Sequence, residues 1–497
     1  MRPLFLFLFL LTNTVTIAQF TDRVWCFGDS VKMEFASGGV VVNNTSGMFS
    51  IKPAGSICDS TGNLLFYIGT YSSNPSVSSS YSGAVWDGND QILASGDSIK
   101  IADQGSDGLI ILPFDEGTVR KYYVIHHPPY LAITTFYFNW SLIIDSNNIL
   151  SVQSKNNLLS NMSSAAKLAA VKHGNGKDWW LVTHSILGDT FCVYLVDSNG
   201  IHPPVYQSIG SSYNNVFPYQ GLNGELVFSK FGNHLGAVSN DIIDLFDFDR
   251  CTGTISNFRN LMSMPTNNPD QFYAACSFSP NERFFYISNL GLNGNPGFRT
   301  HHTLQFDLQS TPIVSSRCTV NLVTSDYSAF QHQLGPDGRI YLTRSDAGFP
   351  TMVTDTGSTY LSVIENPNDP CPSVVFNTFG QGLDGRRCLG SLPNNPNYEL
   401  GRVEPNGCVS GLPSASLLGN ISVYPSPAID QIQISSSRSL NGTIITLFNL
   451  QGQQLLQQTT GFGNVFEVEL PKCIGTGIYF LRIQAKEGVV TKKVVVR

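Results

Sequence analysis

The sequence predicts an all-β protein: a β-propeller of about seven blades followed by a small Ig-like β-sandwich. Three observations indicate this fold class. Glycine and proline are frequent, with 45 and 26 residues, and aromatic residues make up 11% of the chain. A unit of one turn and one apolar strand also recurs along most of the sequence. Glycine and proline favour turns and aromatic residues favour strands, so many short strands are expected rather than long helices.

The repeated unit is a turn rich in Gly, Asn, Asp or Pro, followed by a run of β-branched and aromatic residues. Six such runs begin at residues 64, 121, 179, 225, 283 and 339, about 55 residues apart. In later copies a second strand ends on an acidic residue, as at Asp197, Asp249 and Asp307. A unit of this length accommodates four short strands, and radial repetition of such units protects sheet edges. Residues 19–405 are therefore predicted to form the propeller, and six or eight blades would also be compatible with the spacing.

The ends of the repeat array are irregular. We expect strands around Trp25 to Phe35 to complete a blade together with residues 371–405. The Ala-rich stretch 160–173 is the one predicted helix. Residues 406–420 are predicted to be a linker, and residues 421–497 hold about seven short alternating strand candidates, as a β-sandwich requires.

Low charge limits the classes of partner. Charged residues are 13% of the chain, against about 25% in typical domains, and the net charge is −7 without long runs of one sign. Nucleic acids and anionic membranes are usually bound through basic patches, so the sequence disfavours both as partners. The hydrophobic share of 42% excludes wholesale disorder.

The first 18 residues are predicted to be a signal peptide. They combine a positive start at Arg2, an apolar run from Leu4 to Leu11, and small residues at Thr16 and Ala18. The apolar run is too short for a permanent transmembrane anchor. We therefore expect export of the mature chain without such an anchor.

Ten cysteines suggest disulfide bonds in an oxidising compartment. We predict that Cys251 pairs with Cys276, because each flanks a blade strand of the same repeat. Cys26 with Cys58 is the second predicted pair, since it would tie the first strand to the first repeat. The alternative of several buried free thiols stays open, because no cysteine lies in a C-x-x-C spacing.

Four segments near the C-terminus carry distinctive motifs: Val423-Tyr424-Pro425-Ser426-Pro427 with Asp430, Ile445 to Gln453, Gly477 to Leu481, and Thr491 to Val496. In order and spacing they resemble the type A C-terminal sorting domain of the Bacteroidetes type IX secretion system, with Ser426 in place of the usual asparagine. The resemblance implies a sorting signal made of Tyr424, Pro425, Pro427, Asp430, Gly452, Gly477, Tyr479, Lys492 and Lys493. It also implies passage through the periplasm of a Gram-negative bacterium, recognition by the translocon, and release or attachment at the cell surface.

Several segments of the body carry a second resemblance: Gly62 to Tyr67, Asp178 to Trp180, Phe248 to Gly253, Phe278 to Asn281, and Leu392 to Tyr398. They resemble β-propeller proteins of the WD-repeat or YVTN type from the same bacteria. This resemblance implies fold and location, and it implies no activity.

Motifs that could carry chemistry have structural interpretations. Phe27-Gly28-Asp29-Ser30 is similar to the nucleophile block of Gly-Asp-Ser esterases, but a downstream Asp-x-x-His is missing. The pairs His126-His127 and His301-His302 place neighbouring side chains on opposite faces of a strand, so neither pair can chelate a metal.

Two further groups of residues are candidate binding sites. Asp244, Asp247 and Asp249 lack the spacing of a calcium loop. Trp179 and Trp180 could stack on a sugar if one faces solvent, although strand core positions explain them more simply. The sequence thus offers no catalytic, metal or cofactor residue, and no cofactor is expected.

The predicted function is a secreted or surface-displayed propeller that binds an extracellular protein or glycan, or serves as an adhesive or structural module. Its predicted partners are the type IX translocon, through the C-terminal domain, and that unidentified ligand. The alternative, which the sequence favours less, is a secreted polysaccharide hydrolase or lyase that uses the propeller channel. Two carboxylates about 5 to 9 Å apart in a deep cleft would favour the enzyme.

Overall fold

The computed structural model describes residues 20–43, 46–50, 53–71, 82–101, 107–115, 117, 119–128, 137–160, 162–213, 224–239, 242–263, 273–289, 300–324, 327–329, 331–346, 357–388, 390–403, 408, 421–425, 427–436, 441–449, 454–461, 463–471, 474–485 and 488–497. The predicted signal peptide, most of the predicted linker and Gly452 lie outside these residues. Within them the chain is nearly all β, with two short 3₁₀ turns at Ile313–Ser316 and Gly357–Thr359 and no α-helix.

Seven antiparallel sheets follow one another along the body, each built from consecutive strands. Blade 1 contains β1 (Val24–Phe27), β2 (Val31–Ala36) and β3 (Gly39–Asn43). Blade 2 contains β4 (Gly55–Cys58), β5 (Leu64–Tyr71), β6 (Ser82–Asp87) and β7 (Ile99–Lys100). Blade 3 contains β8 (Leu109–Asp115), β9 (Val119–His126), β10 (Asn139–Ser146) and β11 (Ile149–Leu158). Blade 4 contains β12 (Ser164–Lys172), β13 (Trp179–Ser185), β14 (Gly188–Asp197), β15 (Gly200–Ile201) and β16 (Val205–Tyr213).

The remaining blades repeat this plan. Blade 5 contains β17 (Leu226–Phe228), β18 (His234–Ser239), β19 (Ile242–Asp249) and β20 (Thr254–Ser263). Blade 6 contains β21 (Tyr273–Phe278), β22 (Phe284–Asn289), β23 (Thr300–Asp307) and β24 (Cys318–Thr324). In blade 7 a small pair, β25 (Tyr327–Ser328) and β28 (Ser345–Asp346), accompanies β26 (His332–Leu334), β27 (Ile340–Leu342), β29 (Tyr360–Ile364) and β30 (Phe376–Gly382).

The apolar cores between the blades form a closed circle. One core joins blades 2, 3 and 4, and further cores join blades 4 and 5, 5 and 6, and 6 and 7. The last core returns from blade 7 to blades 1 and 2, where Trp25 packs edge-on against Tyr341 with ring centroids 5.6 Å apart. The body is a seven-bladed β-propeller, which confirms the predicted fold class.

Two local predictions are wrong. The predicted helix at 160–173 is largely β12, whose first eight residues are buried. An inner strand that is buried on both faces does not show the alternation of apolar and polar residues that marks a half-buried strand. Alanine favours helices, but tertiary packing overrides this propensity here. The repeat copy at residue 225 is also displaced: it precedes the inner strand β17, whereas the other five runs lie at second strands. The second strand of blade 5 is β18.

Acidic residues close the third strand of several blades, as predicted. Each carboxylate accepts the backbone N–H two residues further on, at 2.8 to 3.0 Å, in four turns: Asp87 with Asn89, Asp197 with Asn199, Asp249 with Cys251, and Asp307 with Gln309. Such turns satisfy backbone donors without a sheet partner. The same turn contact therefore recurs in four blades of the propeller.

Residues 390–403 cross the centre of the ring. The N–H of Leu392 donates to the side-chain oxygen of Gln331 beside blade 7 (2.6 Å), and Pro393 forms a bridge with Ala54 beside blade 2. The side chain of Asn394 donates to the carbonyls of Asp107 and Leu168, next to the inner strands of blades 3 and 4. This channel segment fills the middle of the propeller. It does not add a strand to blade 1, which has three strands instead of the predicted completion by residues 371–405.

Two disulfide bonds hold the end of the body. Cys251 pairs with Cys408 and Cys318 pairs with Cys371. The predicted Cys251–Cys276 bond is therefore wrong: Cys251 lies in the turn after β19, whereas Cys276 lies inside the inner strand β21 of the next blade as a buried thiol. Cys26 and Cys58, the second predicted pair, are also buried free thiols.

The last residues form a separate two-sheet module with its own core. Its strands are β31 (Ile421–Tyr424), β32 (Gln431–Ser436), β33 (Ile444–Phe448), β34 (Gln454–Thr459), β35 (Val465–Glu469), β36 (Gly477–Ala485) and β37 (Gly488–Val496). One sheet has the order β31-β32-β35 and the other β34-β33-β36-β37. Their inward side chains form one cluster, as a β-sandwich requires.

Candidate functional site

Two acidic side chains meet at the centre of the propeller. Asp107 precedes β8 of blade 3, Glu225 precedes β17 of blade 5, and their carboxyl groups are hydrogen-bonded to each other. Both residues are buried, with exposed fractions of 3% and 2%. Burial raises the pKa of Asp107 to about 7 and raises that of Glu225 well above its usual range. Two carboxylates in contact cannot both ionise in such a site, so Glu225 keeps its proton and donates a hydrogen bond to Asp107.

Backbone and amide donors from neighbouring blades surround this pair. The N–H groups of Cys276 in blade 6 and His332 in blade 7 donate to Glu225. The N–H of Leu226 donates to Asp107 at 3.2 Å, and the side-chain amide of Gln331 does so at 3.3 Å. Gln331 also accepts the N–H of Leu392, so it links the acidic pair to the channel segment.

A buried lysine lies close to the pair. Lys167 of β12 is 1% exposed, its ammonium donates to the carbonyl of Val238 at 2.9 Å, and it lies 4.7 Å from the centre of the Tyr213 ring. Burial lowers the pKa of Lys167 to about 7, against the opposing charge of Asp107. Blades 3, 4, 5, 6 and 7 thus all contribute to one central polar cluster.

The geometry of the acidic pair does not suit glycoside hydrolysis. Retaining and inverting glycosidases hold their carboxyl groups about 5 Å or about 6.5 to 9.5 Å apart, with room for substrate or water between them. Asp107 and Glu225 share a hydrogen bond instead and are buried beside the channel segment. The arrangement can hold a proton and join blades, and the predicted criterion for a polysaccharide-active enzyme is not met by it.

The tryptophans and paired histidines named from the sequence lie in the core or in local contacts. Trp179 and Trp180 are fully buried, and their ring N–H groups donate to the carbonyls of Pro113 and Arg250. Neither forms an exposed sugar platform. Burial lowers the pKa of both His126 and His127 to about 4, so both rings are neutral at pH 7. His302 contacts the hydroxyl of Tyr273 at 3.2 Å, and both His301 and His302 border a small cavity between blades 6 and 7.

The acidic residues of blade 5 do not converge. Asp244 accepts hydrogen bonds from Ser211 and Asn260, Asp247 pairs with Arg259, and Asp249 caps its own turn. In the described part of the chain, no three potential ligands are grouped to hold a metal ion. The Gly-Asp-Ser segment is structural: the N–H of Asp29 donates to the carbonyl of Arg387, and its carboxylate pairs with that arginine.

A cleft of about 670 Å³ opens where blades 1, 2 and 3 meet. Four exposed asparagines line it: Asn43 at the end of β3, Asn63 just before β5, Asn89 in the turn after β6, and Asn148 in the turn before β11. Ile149, 71% exposed, and the half-buried Leu150 supply apolar surface beside them. Amides with apolar contacts can bind a polar, uncharged molecule.

The charged groups of this cleft are engaged within the protein. Lys32 forms an ion pair with Asp90 at 2.9 Å, and Glu34 forms one with Arg23 at 2.6 Å. The carboxylate of Asp87 accepts the N–H groups of Asn89 and Gln91 at 2.9 Å. Sequence analysis missed the cleft because its asparagines come from three blades and resemble ordinary turn residues.

The predicted sorting residues are distributed over the sandwich. Tyr424 ends β31, Pro425 and Pro427 follow it, and Asp430 directly precedes β32. Gly477 begins β36, in which the hydroxyl of Tyr479 donates to the carbonyl of Gly475 at 2.7 Å. Lys492 and Lys493 lie in β37, and Gly452 lies outside the described residues. The described ones lie on different strands and turns of one small domain.

Residues 422–497 match the family model of the secretion system C-terminal sorting domain. This module is a type IX secretion sorting domain. The sorting domain indicates a secreted or cell-surface protein of Bacteroidetes, as predicted. None of the helices in the described residues is long and apolar enough to span a membrane. No curated protein matches the chain significantly.

Solved structures similar to the chain include a candidate 6-phosphogluconolactonase from Bacteroides uniformis, with 11% identity, a TM-score of 0.43, and coverage of 71% of this chain and 96% of that one. A GH43 β-1,3-galactosidase with galactodeoxynojirimycin matches at 9% identity and a TM-score of 0.31, over 51% and 88% of the two chains. The β-propeller domain of Myceliophteria thermophila Cps50 (Swd1) matches at 11% identity and 0.27, over 56% and 90%. These TM-scores are low, so the architecture rests on the sheets and cores described above.

Proposed function

We propose that the protein is an exported carbohydrate-binding propeller, and that the cleft between blades 1, 2 and 3 holds an uncharged oligosaccharide. The observation that supports this proposal is that four exposed asparagines line one open cleft. A carboxamide both donates and accepts hydrogen bonds, which matches the alternating demands of sugar hydroxyls.

The charges around the cleft support a neutral ligand. Lys32 and Glu34 are each paired with an opposite charge, so neither offers a free ion for a charged ligand without breaking its own contact. Ile149 and Leu150 provide the apolar surface on which the less polar face of a sugar ring can lie.

The test is a matched pair of variants. Asn89→Ala removes a cleft amide, and Asn199→Ala removes the equivalent amide from the same type of turn in blade 4, outside the cleft. Both turns keep their Asp-to-backbone hydrogen bond, so both variants should fold. A neutral-glycan array identifies the probe, and calorimetry with that glycan should show about a fivefold loss of affinity for Asn89→Ala alone, as expected for one hydrogen bond of about 1 kcal/mol.

A double variant, Asn43→Ala with Asn89→Ala, should weaken binding about thirtyfold, because each lost hydrogen bond contributes about 1 kcal/mol. Equal weakening by Asn89→Ala and Asn199→Ala, or no neutral glycan bound by the wild-type protein, would contradict the proposal.

A further inference from the structure

Three strands of the sorting domain divide their motif residues between two faces. In β33, β36 and β37 the inward residues Leu447, Leu481 and Val494 are buried in the sandwich core. Their sequence neighbours Phe448, Phe480 and Lys493 point to the other side of the sheet, because successive side chains alternate. The sandwich core accounts for the first group, whereas the second group lies outside that core.

The outward residues are aligned with one another. Phe448 is directly opposite Phe480, and Phe480 is directly opposite Lys493, so the three form a row across three strands. Ile478 and Arg482 flank Phe480 on the same side of β36. We call these five residues the outer face. Ile478 is 37% exposed and Phe480 is 38% exposed. Adjoining exposed apolar side chains of this size mark interaction surfaces.

Charge is divided between the two sheets of the domain. The outer face carries Arg482 and Lys493, whereas Asp430, Glu467 and Glu469 belong to the three-stranded sheet and its edge. Residues 421–497 hold seven basic and four acidic residues, a net +3, whereas the rest of the chain, with 22 basic and 32 acidic residues, carries −10. The positive charge of the domain is thus separated from a negative body.

We propose that the outer face is the surface by which the sorting domain docks on the export machinery, and that its partner is a protein surface with apolar and acidic residues. Phe480 and Ile478 supply the apolar contact, and the cations beside them direct the encounter with an acidic partner. This inference concerns export and is independent of the proposed carbohydrate cleft.

The test follows the full-length chain in a type IX-competent host. Ile478→Thr with Phe480→Thr removes the apolar contact while it keeps residues that favour strands. The matched control is Val465→Thr on the other sheet, where Val465 is 52% exposed. Whole-cell antibody labelling should show at least a fivefold loss of surface protein for the outer-face variant, with accumulation in the periplasm, and no loss for the control.

A second matched pair tests the charge. Lys493→Glu should reduce surface labelling, whereas Glu467→Lys on the opposite sheet should not. Both positions are exposed, so both proteins should fold, and thermal melting of each purified protein checks this. Wild-type export of both outer-face variants, or equal loss from the control variants, would overturn the proposal.

Two further measurements separate other occupants of this face. Sedimentation of the purified wild-type protein should show a monomer, and phosphatidylglycerol vesicles should not bind it. A dimer, or vesicle binding, that is lost in Ile478→Thr with Phe480→Thr would assign the face to self-association or to a lipid surface, and the proposal would be wrong. Carbohydrate binding by the same proteins should be unchanged, so failure here leaves the cleft untouched.

Discussion

Glu225 donates a hydrogen bond to Asp107 at the centre of the propeller, and the two residues come from blades that are not neighbours in the ring. Cys276 and His332 add backbone donors to Glu225 from two further blades. A protonated carboxyl group therefore takes part in the hydrogen bonds that connect the blades at the centre of the propeller. Such an arrangement makes stability depend on pH.

Glu225→Gln should make the stability of the protein less dependent on pH. The pKa of Glu225 is raised in the folded state, so its stabilising effect is complete below the unfolded value and is lost as pH rises toward the folded value. Glutamine can donate to Asp107 at every pH, but its NH2 group cannot accept the backbone N–H that one carboxyl oxygen of Glu225 accepts from Cys276 or His332. Urea unfolding should therefore show a variant that is less stable than the wild type at pH 4 and that gains roughly 1 to 3 kcal/mol relative to it between pH 4 and pH 8. Parallel stabilities of both proteins across this range would contradict the shared proton.

The Cys251–Cys408 bond should stabilise the end of the body. A chain that ends at residue 405 lacks Cys408, whereas a chain that ends at residue 410 keeps it. The shorter chain should lose roughly 2 to 4 kcal/mol of unfolding free energy. Reductant should lower the stability of the longer chain toward that of the shorter one, with Cys251→Ser in the longer chain as the control. Peptide mapping without reduction should recover Cys251 joined to Cys408, and a Cys251–Cys276 peptide would contradict the structure.

Asn394 should matter more than a neighbouring asparagine in the same segment. Asn394→Ala removes two hydrogen bonds that join blades 3 and 4, whereas Asn397→Ala removes two exposed ones, to the carbonyl of Lys230 and from the N–H of Glu399. Buried carbonyls left without donors cost about 1 to 3 kcal/mol. Chemical unfolding should therefore show a clearly larger loss for Asn394→Ala. Equal losses would show that the channel segment does not join these blades.

Removal of residues 421–497 should leave the body folded. The propeller closes its own ring of cores, and the sandwich has a separate core. The truncated protein should be soluble, β-rich by circular dichroism, and similar in melting temperature to the full chain, but it should stay in the periplasm. Aggregation, or surface display without the sorting domain, would refute this division.

Local sequence patterns predicted much of the fold because each blade repeats its own turn chemistry. Runs such as Leu64 to Ile68 and Arg283 to Ile287 lie at second strands, and a seven-bladed ring follows from their spacing. The stretch at Ser164 was misassigned because burial on both faces removes the alternation that marks a strand. At Glu225 a similar turn introduces the first strand instead of the second.

The central cluster and the cleft could not be read from local patterns. Asp107 and Glu225 lie far apart in the sequence, and only closure of the ring brings them together. The same holds for Cys408, whose partner Cys251 lies 157 residues earlier, in blade 5. These contacts depend on where the ring places distant segments.

The route of residues 390–403 through the centre sets an order of events. Asn394 contacts Asp107, which lies 287 residues earlier, so the centre of the propeller remains incomplete until the chain has been synthesised through residue 394. Long-range contacts of this kind form late and slowly. The sorting domain follows within a few dozen residues. A chain that carries the sorting domain therefore already contains every residue of the propeller. The domain thus also marks a chain whose propeller sequence is complete.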